Sequence, residues 1–498
     1  AAAEAGVLPR MVASDPSLVL WHKTDDIFRR PKTNLFIELV APAAYHAPSS
    51  AVLTRLFTKL ISDELTEFSY DAECAGLHYR VYNSAVGLNL MLAGYSHKLP
   101  VLLTKVLGKL RSAELLEERF VVQKDIVARE YANFFKEQPY QHAMYNVSQL
   151  LEMTKWHILE YLAYAESASL THEALTAFAR GPLLAHVHVR ALCHGNTSGD
   201  EATSCLRGGL DALRAAPLFG SELPAQRLLQ LPSGVAAAHT SVLLRQHASL
   251  VEPLHRQHAN PDDTNSAVEV YLQVGRDVRP RSMLLELAAQ VINKPCYHQL
   301  RTTEQLGYIV FSGLRCDLGV VGLRVLVQSS EVDAATLDAR IEAFLLTVPD
   351  LISEMAEAEF DNHRQALIDA KLETDKKLRQ ESSRYWAEIP LGTLDFERAK
   401  ADAEALRTCT KPQLAAFWAE YLQAGGPQRR KLSSQVFAAQ HALPPPPAGV
   451  RCLDGREAVL AFKRTMHAFP PPCAPPEDEM PVAEAEAEAT RTGRGADN

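Results

Sequence analysis

The segment 301–310 contains two residue types that could act on a carbonyl group. It reads RTTEQLGYIV, a charged and polar turn that runs into an apolar strand. The guanidinium of Arg301 can form a forked hydrogen bond to a carbonyl or carboxylate group, and the phenol of Tyr308 can donate to an oxyanion in a dry site. Each residue also has a structural alternative. Arg301 could cap the preceding helix, and Tyr308 could fill a core with its hydroxyl group bonded internally. Residue type alone favours these structural roles.

Other catalytic motifs are absent from the sequence. There is no H-x-x-E-H motif, in which two histidines and a distal glutamate hold zinc while the motif glutamate activates water. The nearest patterns, His157-x-x-Glu160 and His255-x-x-His258, lack the spacing and the third ligand, so we expect surface or packing histidines. No nucleophile elbow, phosphate loop or dinucleotide fingerprint occurs. We therefore expect this chain to bind no metal ion.

Length, composition and charge limit which classes of protein the sequence can belong to. The 498 residues suggest two large or three small domains, and 47% hydrophobic with 22% charged residues is typical of a globular chain. A net charge of -9 without a stripe of basic and aromatic residues argues against nucleic-acid binding. No apolar stretch is long enough to span a bilayer, and no signal peptide is evident. The eight scattered cysteines indicate a reducing compartment, so we expect the cytoplasm or, alternatively, an organelle such as a mitochondrion or plastid.

An internal repeat indicates how the chemistry-bearing turn is positioned. Residues 34–40 read as a strand, 49–65 as a helix and 76–93 as two further strands. A shift of 231 residues places Glu38 on Glu269 without a gap over some forty positions, and a hairpin loop four residues longer then extends the match. Each copy continues into a helix, at 100–110 and at 335–346. The pattern predicts an α+β fold of two homologous α/β-sandwich domains with mostly antiparallel sheets.

The repeat also sets the domain limits. We expect a linker at 1–19, a first domain at 20–222, a second domain at 223–440 and a disordered tail at 441–498 rich in Pro, Ala and Glu. In each copy a long amphipathic helical arm, 116–164 and 354–384, is predicted to pack beside its own sheet.

Five separated stretches of the sequence can be compared with known families. They are LWHKTDD at 20–26, the segment 133–145 with EQPYQHAMY, LCHGN at 192–196, RTTEQLGYIVFSG at 301–313 and RYWAEI at 384–389. Together they resemble the pitrilysin (insulinase) family of zinc metallopeptidases, in particular the C-terminal half of its insulin-degrading type. The stretches occur in the same order over about residues 16–440, which makes the resemblance specific.

The resemblance implies roles that the residues alone do not. In this family two homologous halves close around a peptide, and zinc lies in the N-terminal half. Arg301 would orient the peptide across the closed chamber, and the hydroxyl of Tyr308 would stabilise the developing oxyanion. Lys376 and Lys377, in a basic cluster on a helical arm, resemble an anion-binding wall of the chamber; a solvated helix face is the structural alternative.

Two functions follow as hypotheses. The first is the non-metal half of a zinc metalloendopeptidase, with peptides as substrates, a zinc-bearing N-terminal half or homologous subunit as partner, and zinc only in that complementary half. On this hypothesis the isolated chain should be inactive. The alternative is a catalytically inactive paralogue or fragment that binds peptides or a partner.

Overall fold

Two open β-sheets with helices packed on them form the framework of the chain. The computed structural model describes residues 8–233, 241–247 and 263–472. Both sheets are mixed but mostly antiparallel, and the α+β class predicted from the sequence is confirmed. No helix in these ranges is both long and apolar enough to cross a membrane.

The first sheet has seven strands in the order β1-β2-β6-β3-β5-β4, with the short β7 paired to β6. Its strands are β1 (Arg10–Asp15), β2 (Leu18–Thr24), β3 (Lys32–Val40), β4 (His78–Asn83), β5 (Gly87–Tyr95), β6 (His186–Gly195) and β7 (Ala216–Pro217). The helices of this half are α1 (Pro48–Glu64), α2 (Thr66–Cys74), α3 (Leu99–Ser112), α4 (Glu117–Asn133), α5 (Pro139–Leu151), α6 (Ile158–Ala165), α7 (His172–Arg180) and α8 (Gly199–Asp211).

The second sheet has six strands in the order β10-β11-β9-β12-β8-β13. Its strands are β8 (Ser241–His247), β9 (Ser266–Arg276), β10 (Ile309–Asp317), β11 (Val320–Ser329), β12 (Lys431–Phe437) and β13 (Val450–Asp454). The accompanying helices are α9 (Arg281–Tyr297), α10 (Ala334–Glu354), α11 (Glu357–Lys371), α12 (Leu378–Leu391), α13 (Arg398–Thr408), α14 (Lys411–Phe417) and α15 (Gly455–Thr465).

The two sheets share one topology over five strands. From one edge inward, five strands of the first sheet follow the order β4-β5-β3-β6-β2, and the corresponding strands of the second sheet follow the order β10-β11-β9-β12-β8. In both series only the last pair of strands is parallel. The strands β3 and β9, which the repeat equated, therefore occupy the same central place. The register differs in detail. Glu38 faces Asn89 on β5, whereas Glu269 faces Leu326, so the second hairpin pairs two residues away from the register that the match of Asn89 with Arg324 predicts.

Each sheet buries one face against its own helices. Along β3, Leu35, Ile37 and Leu39 join the first core cluster, which includes apolar residues of α1, α3 and α4. Val268, Val270 and other β9 residues lie in the corresponding second cluster with residues of α9 and α10. Alternate residues of a strand point to opposite faces, so each sheet has a second face that other elements must cover.

The helical arms cover these second faces by exchange, and the prediction that each arm packs beside its own sheet is wrong for α5 and α12. From the first half, Val147 and Leu150 of α5 join a cluster with Tyr271 and Leu432 of the second sheet. From the second half, α12 packs on the first sheet, where Tyr385 and Ile389 form a cluster with Phe36 and Leu192. Helical periodicity predicts that an apolar face is covered but carries no information about which sheet covers it.

Two expected limits need correction. Residues 10–19, assigned to a linker, form β1 and the start of β2. Residues 450–465, assigned to a disordered tail, form β13 and α15, and Leu453 and Phe462 are buried there. Pro-rich stretches on both sides of this segment dominated the composition and concealed its short amphipathic helix. Residues 473–498 of the expected tail lie outside the described residues.

The division at 222/223 falls between β7 and β8, and we retain it as a proposal.

Candidate functional site

Arg301 lies in a compact turn that joins α9 to the edge strand β10. The helix continues into a π-helical turn, His298–Thr303. The N–H of Leu306 then donates to the carbonyl of Leu300 at 3.0 Å, and Gln305 adopts a left-handed conformation with φ of 53°. The chain thus folds back on itself, and Arg301 lies close to the residue that precedes β10.

Glu304 ties this turn to the neighbouring helix. Its carboxylate accepts hydrogen bonds from Gln299 Nε2 at 2.7 Å and from Arg340 Nε at 2.6 Å. The hydrogen bond from Arg340 lowers the pKa of Glu304, and burial opposes that effect. Glu304 therefore acts as an ionised anchor for the turn.

Tyr308 projects into solvent beside Arg301. Its side chain is 89% exposed, so the core-filling alternative for this residue is wrong. The Cζ atom of Arg301 lies 4.7 Å from the centre of the Tyr308 ring, an arrangement that favours a cation–π attraction. Within the described residues, the buried Nε of Arg301 has no hydrogen-bond partner. The pair therefore places an exposed phenol directly beside a guanidinium.

Two separated motifs meet behind Tyr308. Gln328, which faces Ile309 across the hairpin of β10 and β11, accepts a hydrogen bond from the N–H of Tyr140 at 3.0 Å. Its Nε2 donates to Gln138 Oε1, also at 3.0 Å. The start of α5 is thereby fixed beside the turn that carries Tyr308. Sequence reasoning missed Gln328, since one glutamine in a strand has no distinguishing pattern.

The structure does not bring the two lysines to this pair. Lys376 and Lys377 are exposed at the start of α12, where Lys376 Nζ forms an ion pair with Glu373 Oε1 at 2.6 Å. In the ranges that the structure describes, no hydrogen bond, ion pair or ring contact joins either lysine to Arg301 or Tyr308.

The other three motifs converge on a buried polar cluster between α12 and the first sheet. Ser382 Oγ interacts with His194 Nδ1 at 2.9 Å and accepts a hydrogen bond from Asn34 Nδ2 at 2.9 Å. Lys23 Nζ lies 3.6 Å from Glu381 Oε1, and His194 Nε2 lies 3.7 Å from Glu381 Oε2. Burial lowers the pKa of His194 to about 3, with Lys23 adding to the effect. Burial raises the pKa of Glu381, which the charge of Lys23 opposes. These groups are sealed from solvent, so their role is to join the halves.

Metal ligands do not assemble in the described residues, where no group of three or more His, Cys, Asp and Glu side chains is arranged to hold an ion. His157, part of one near-motif, accepts a hydrogen bond from the N–H of Leu159 and caps the start of α6. His255 and His258, the other near-motif, lie outside the described residues.

The fold and the exposed turn together define a class of protein. It is a pair of homologous α+β units, fused by exchanged helices, that presents an arginine and a tyrosine on an exposed turn beside an edge strand.

Comparison with known proteins places this class in a family. Residues 2–164 match the family described as the middle or third domain of peptidase M16, and residues 287–386 match that of the PQQ synthase PqqF-like C-terminal lobe domain 4. The chain is 36% identical over 440 residues to insulin-degrading enzyme-like 1, peroxisomal, of Arabidopsis thaliana. It is 35% identical over 441 residues to the insulin-degrading enzyme of Homo sapiens. These alignments cover 87% and 88% of the chain but 44% and 41% of the relatives.

Solved structures agree in fold. The crystal structure of pitrilysin superposes with a TM-score of 0.80 at 22% identity, covering 93% of this chain and 46% of that one. A structure described as a peptidase M16 inactive domain from Pseudomonas fluorescens superposes with a TM-score of 0.61 at 12% identity, covering 88% of this chain and 100% of that one. The chain belongs to the insulinase (pitrilysin) family of peptidases, and it spans less than half the length of the curated relatives it matches.

Proposed function

We propose that this chain is the non-metal half of a zinc metalloendopeptidase of the insulin-degrading type. It would close a chamber around peptide substrates, together with a zinc-bearing N-terminal half or homologous subunit. The observation that carries the proposal is the placement of Tyr308, which is 89% exposed with Arg301 over its ring. A phenol that serves only packing would be buried.

Arg301 and Tyr308 would act on the same peptide group. The guanidinium, which lies over the ring of the exposed Tyr308, would bind a substrate carbonyl and orient the peptide. The hydroxyl of Tyr308 would donate to the oxyanion that develops at the attacked carbonyl carbon. A donor held in place before the reaction stabilises that charge without reorganisation.

Lys376 and Lys377 would contribute to the anionic side of substrate binding. Both are exposed, and within the described ranges Lys376 forms an ion pair with the exposed Glu373, an interaction that an acidic peptide group can replace at little cost. They would act at a distance from Arg301 and Tyr308, as a wall of the chamber.

Zinc would be held by the complementary half. On this proposal the metal is bound outside this chain, and among the described residues no group of three or more His, Cys, Asp and Glu side chains is arranged to hold an ion. When present in the partner, zinc supplies a Lewis acid and an activated water. We propose the cytoplasm or an organelle as the compartment; the Arabidopsis relative is named as a peroxisomal protein.

Tyr308→Phe tests the proposal after the chain is mixed with a zinc-bearing N-terminal half. Because only the oxyanion-directed hydroxyl is removed, we expect kcat to fall by about 10²–10³, the usual cost of one such donor, with peptide affinity nearly unchanged. Arg301→Ala should weaken peptide positioning as well and raise KM. Tyr70→Phe, at an exposed tyrosine of α2, is the matched control and should not change either constant.

Two results would contradict the proposal. If Tyr308→Phe turns over peptide at the wild-type rate, the tyrosine is not an oxyanion donor. If the reconstituted protein binds peptide but shows no turnover with any zinc-bearing half, the alternative of an inactive peptide- or partner-binding chain is favoured.

A further inference from the structure

A large cavity lies between the two halves, on elements that the proposed function does not use. Its volume is about 1190 Å³. One wall comes from α5, α6 and the segment between them, and the other from β8, β13 and α15. The apolar part of the lining includes Tyr45, Tyr145, Trp156, Leu159, Leu244 and Leu460.

The lining is typical of a small-molecule site. Such sites are concave, mostly apolar, and carry a few polar groups that fix the orientation of the ligand. Three of the lining side chains are held in place: the hydroxyl of Tyr145 accepts from the N–H of Ile158 at 2.7 Å, Trp156 Nε1 donates to the carbonyl of Tyr45 at 2.9 Å, and Asn146 Nδ2 donates to Gln246 Oε1 at 2.9 Å. Fixed aromatic faces favour a ligand with rings, which can pack offset or edge-on against them.

His157 provides a directed donor. Its Nδ1 accepts the N–H of Leu159 at 3.2 Å, and burial lowers the pKa of His157 to about 4. The neutral ring therefore carries its proton on Nε2, which has no hydrogen-bond partner among the described residues. A hydrogen-bond acceptor on the ligand would satisfy it.

Positive charge exceeds negative charge around the cavity. Five basic side chains line it, namely Lys155, Arg245, Arg456, Lys463 and Arg464, against the two acidic residues Glu160 and Asp454.

Pairing leaves two of these cations without a carboxylate. Arg456 pairs with Glu160, Arg245 with Asp454, and Lys155 with Glu152, which is not part of the lining. Lys463 Nζ instead donates to the main-chain carbonyls of Gln149 and Glu152 at 3.0 and 2.6 Å. No ion pair to the exposed Arg464 is present in the described structure. Lys463 and Arg464 are adjacent in α15, so the surplus charge is local.

We propose that this cavity binds a small aromatic anion, with its rings against the tyrosine and tryptophan faces and its acidic group near Lys463 and Arg464. The surplus of positive charge favours an anion over a cation, and the aromatic lining favours a ligand with rings over a purely polar anion. Because the walls come from both halves, the ligand would bind the assembled chain and stabilise it. This inference does not depend on the proposed peptidase function.

A matched pair of fluorescent probes tests the chemistry in the full chain. The anion 8-anilinonaphthalene-1-sulfonate and the neutral N-phenyl-1-naphthylamine share the same ring systems and differ by the sulfonate. We expect saturable binding of the anion at one site per chain, and about tenfold weaker binding of the neutral probe. Quenching of tryptophan fluorescence by the bound anion should shrink markedly in Trp156→Phe, which locates the site.

Two exposed positions supply variants that spare the core. Leu460→Trp places a ring in the cavity and should abolish binding of both probes, whereas Leu346→Trp, at an exposed position of α10, should not. Arg464→Glu should weaken binding of the anion about tenfold and leave binding of the neutral probe unchanged, whereas Arg379→Glu, at an exposed position near the start of α12, should change neither. Thermal melting of each variant checks that it is folded.

The proposal fails under three outcomes. Absence of saturable binding by the folded chain excludes the site. Equal affinity for the two probes, with no effect of Arg464→Glu, shows an apolar surface without selectivity for anions. Binding that survives Leu460→Trp or keeps its full quenching in Trp156→Phe places the probe elsewhere.

Discussion

Gly307 determines where Tyr308 lies because the site leaves no room for a side chain. A Cβ atom at this position would lie 1.8 Å from the carbonyl oxygen of Gln328, which is main chain and cannot rotate away. Gly307→Ala must therefore push the turn off β11. We expect the free energy of unfolding in urea to fall by about 1–3 kcal/mol, the usual cost of overpacking. Turnover in the reconstituted enzyme should also fall, since Tyr308 moves with the turn.

Gly108→Ala is the matched control for that experiment. Gly108 lies within α3, and a Cβ there would meet nothing within 4 Å. Alanine should stabilise the helix by about 0.5–1 kcal/mol relative to glycine. Equal effects of the two substitutions would show that the close approach at Gly307 is not a constraint.

The buried ring of His194 makes stability depend on pH. Its pKa is lowered to about 3 in the folded chain, from an ordinary value of 6.5. The unfolded state therefore binds a proton that the folded state does not between these values. The stabilisation is complete above pH 6.5 and is lost as the pH falls toward 3. Over that window His194 should contribute a slope of up to about 1.4 kcal/mol per pH unit.

His194→Asn isolates this contribution. Asparagine can still donate to Ser382 but does not titrate, and Lys23, Asp25, Asp26 and Glu381 remain around it. We expect the free energy of unfolding of the variant to fall less steeply than that of the wild type between pH 6.5 and 4. His78→Asn, on the exposed edge strand β4, should keep the wild-type slope. Parallel slopes for His194→Asn and wild type would refute the assignment.

At the scale of elements, β13 and α15 are integral to the second half. Phe462 of α15 is fully buried in a cluster with Val242 and Leu453, and Lys463 donates to carbonyls at the end of α5. We expect Phe462→Ala to lower the free energy of unfolding by about 3–5 kcal/mol, because it leaves a cavity. Leu460→Ala on the same helix, at a site 38% exposed, should cost much less. Similar small losses for both would indicate that α15 is not docked.

The sequence predicts the repeated unit but not the placement of its arms. Strand, helix and hairpin follow from periods of two and 3.6 residues, which are local properties. The exchange of α5 and α12 depends on contacts more than 100 residues apart, such as that between Ser382 and His194. For the candidate site, resemblance selects Arg301 and Tyr308, and only the structure shows that Gln328 joins their turn to α5.

For the whole molecule, the exchange should make the two halves unfold together. The face of the first sheet that carries Phe36 and Leu192 is covered by α12, so loss of the second half exposes it. In the same way α5 covers the Tyr271 face of the second sheet. Each half therefore leaves an apolar face of its sheet exposed to solvent when the other half is absent, and neither half can bury all of its apolar side chains alone.

Ile389→Asp tests this cooperativity in the full chain. The substitution places a charge in the buried contact between α12 and the first sheet, where Ile389 is 4% exposed, and an unpaired buried charge is strongly destabilising. If the halves are coupled, calorimetry should show one transition that shifts to lower temperature as a whole. Leu391→Asp, at the exposed end of the same helix, should shift it little. Two separate transitions, with the melting temperature of only one lowered in Ile389→Asp, would mean that each half folds independently. In that case α12 would dock onto a first half that is already folded.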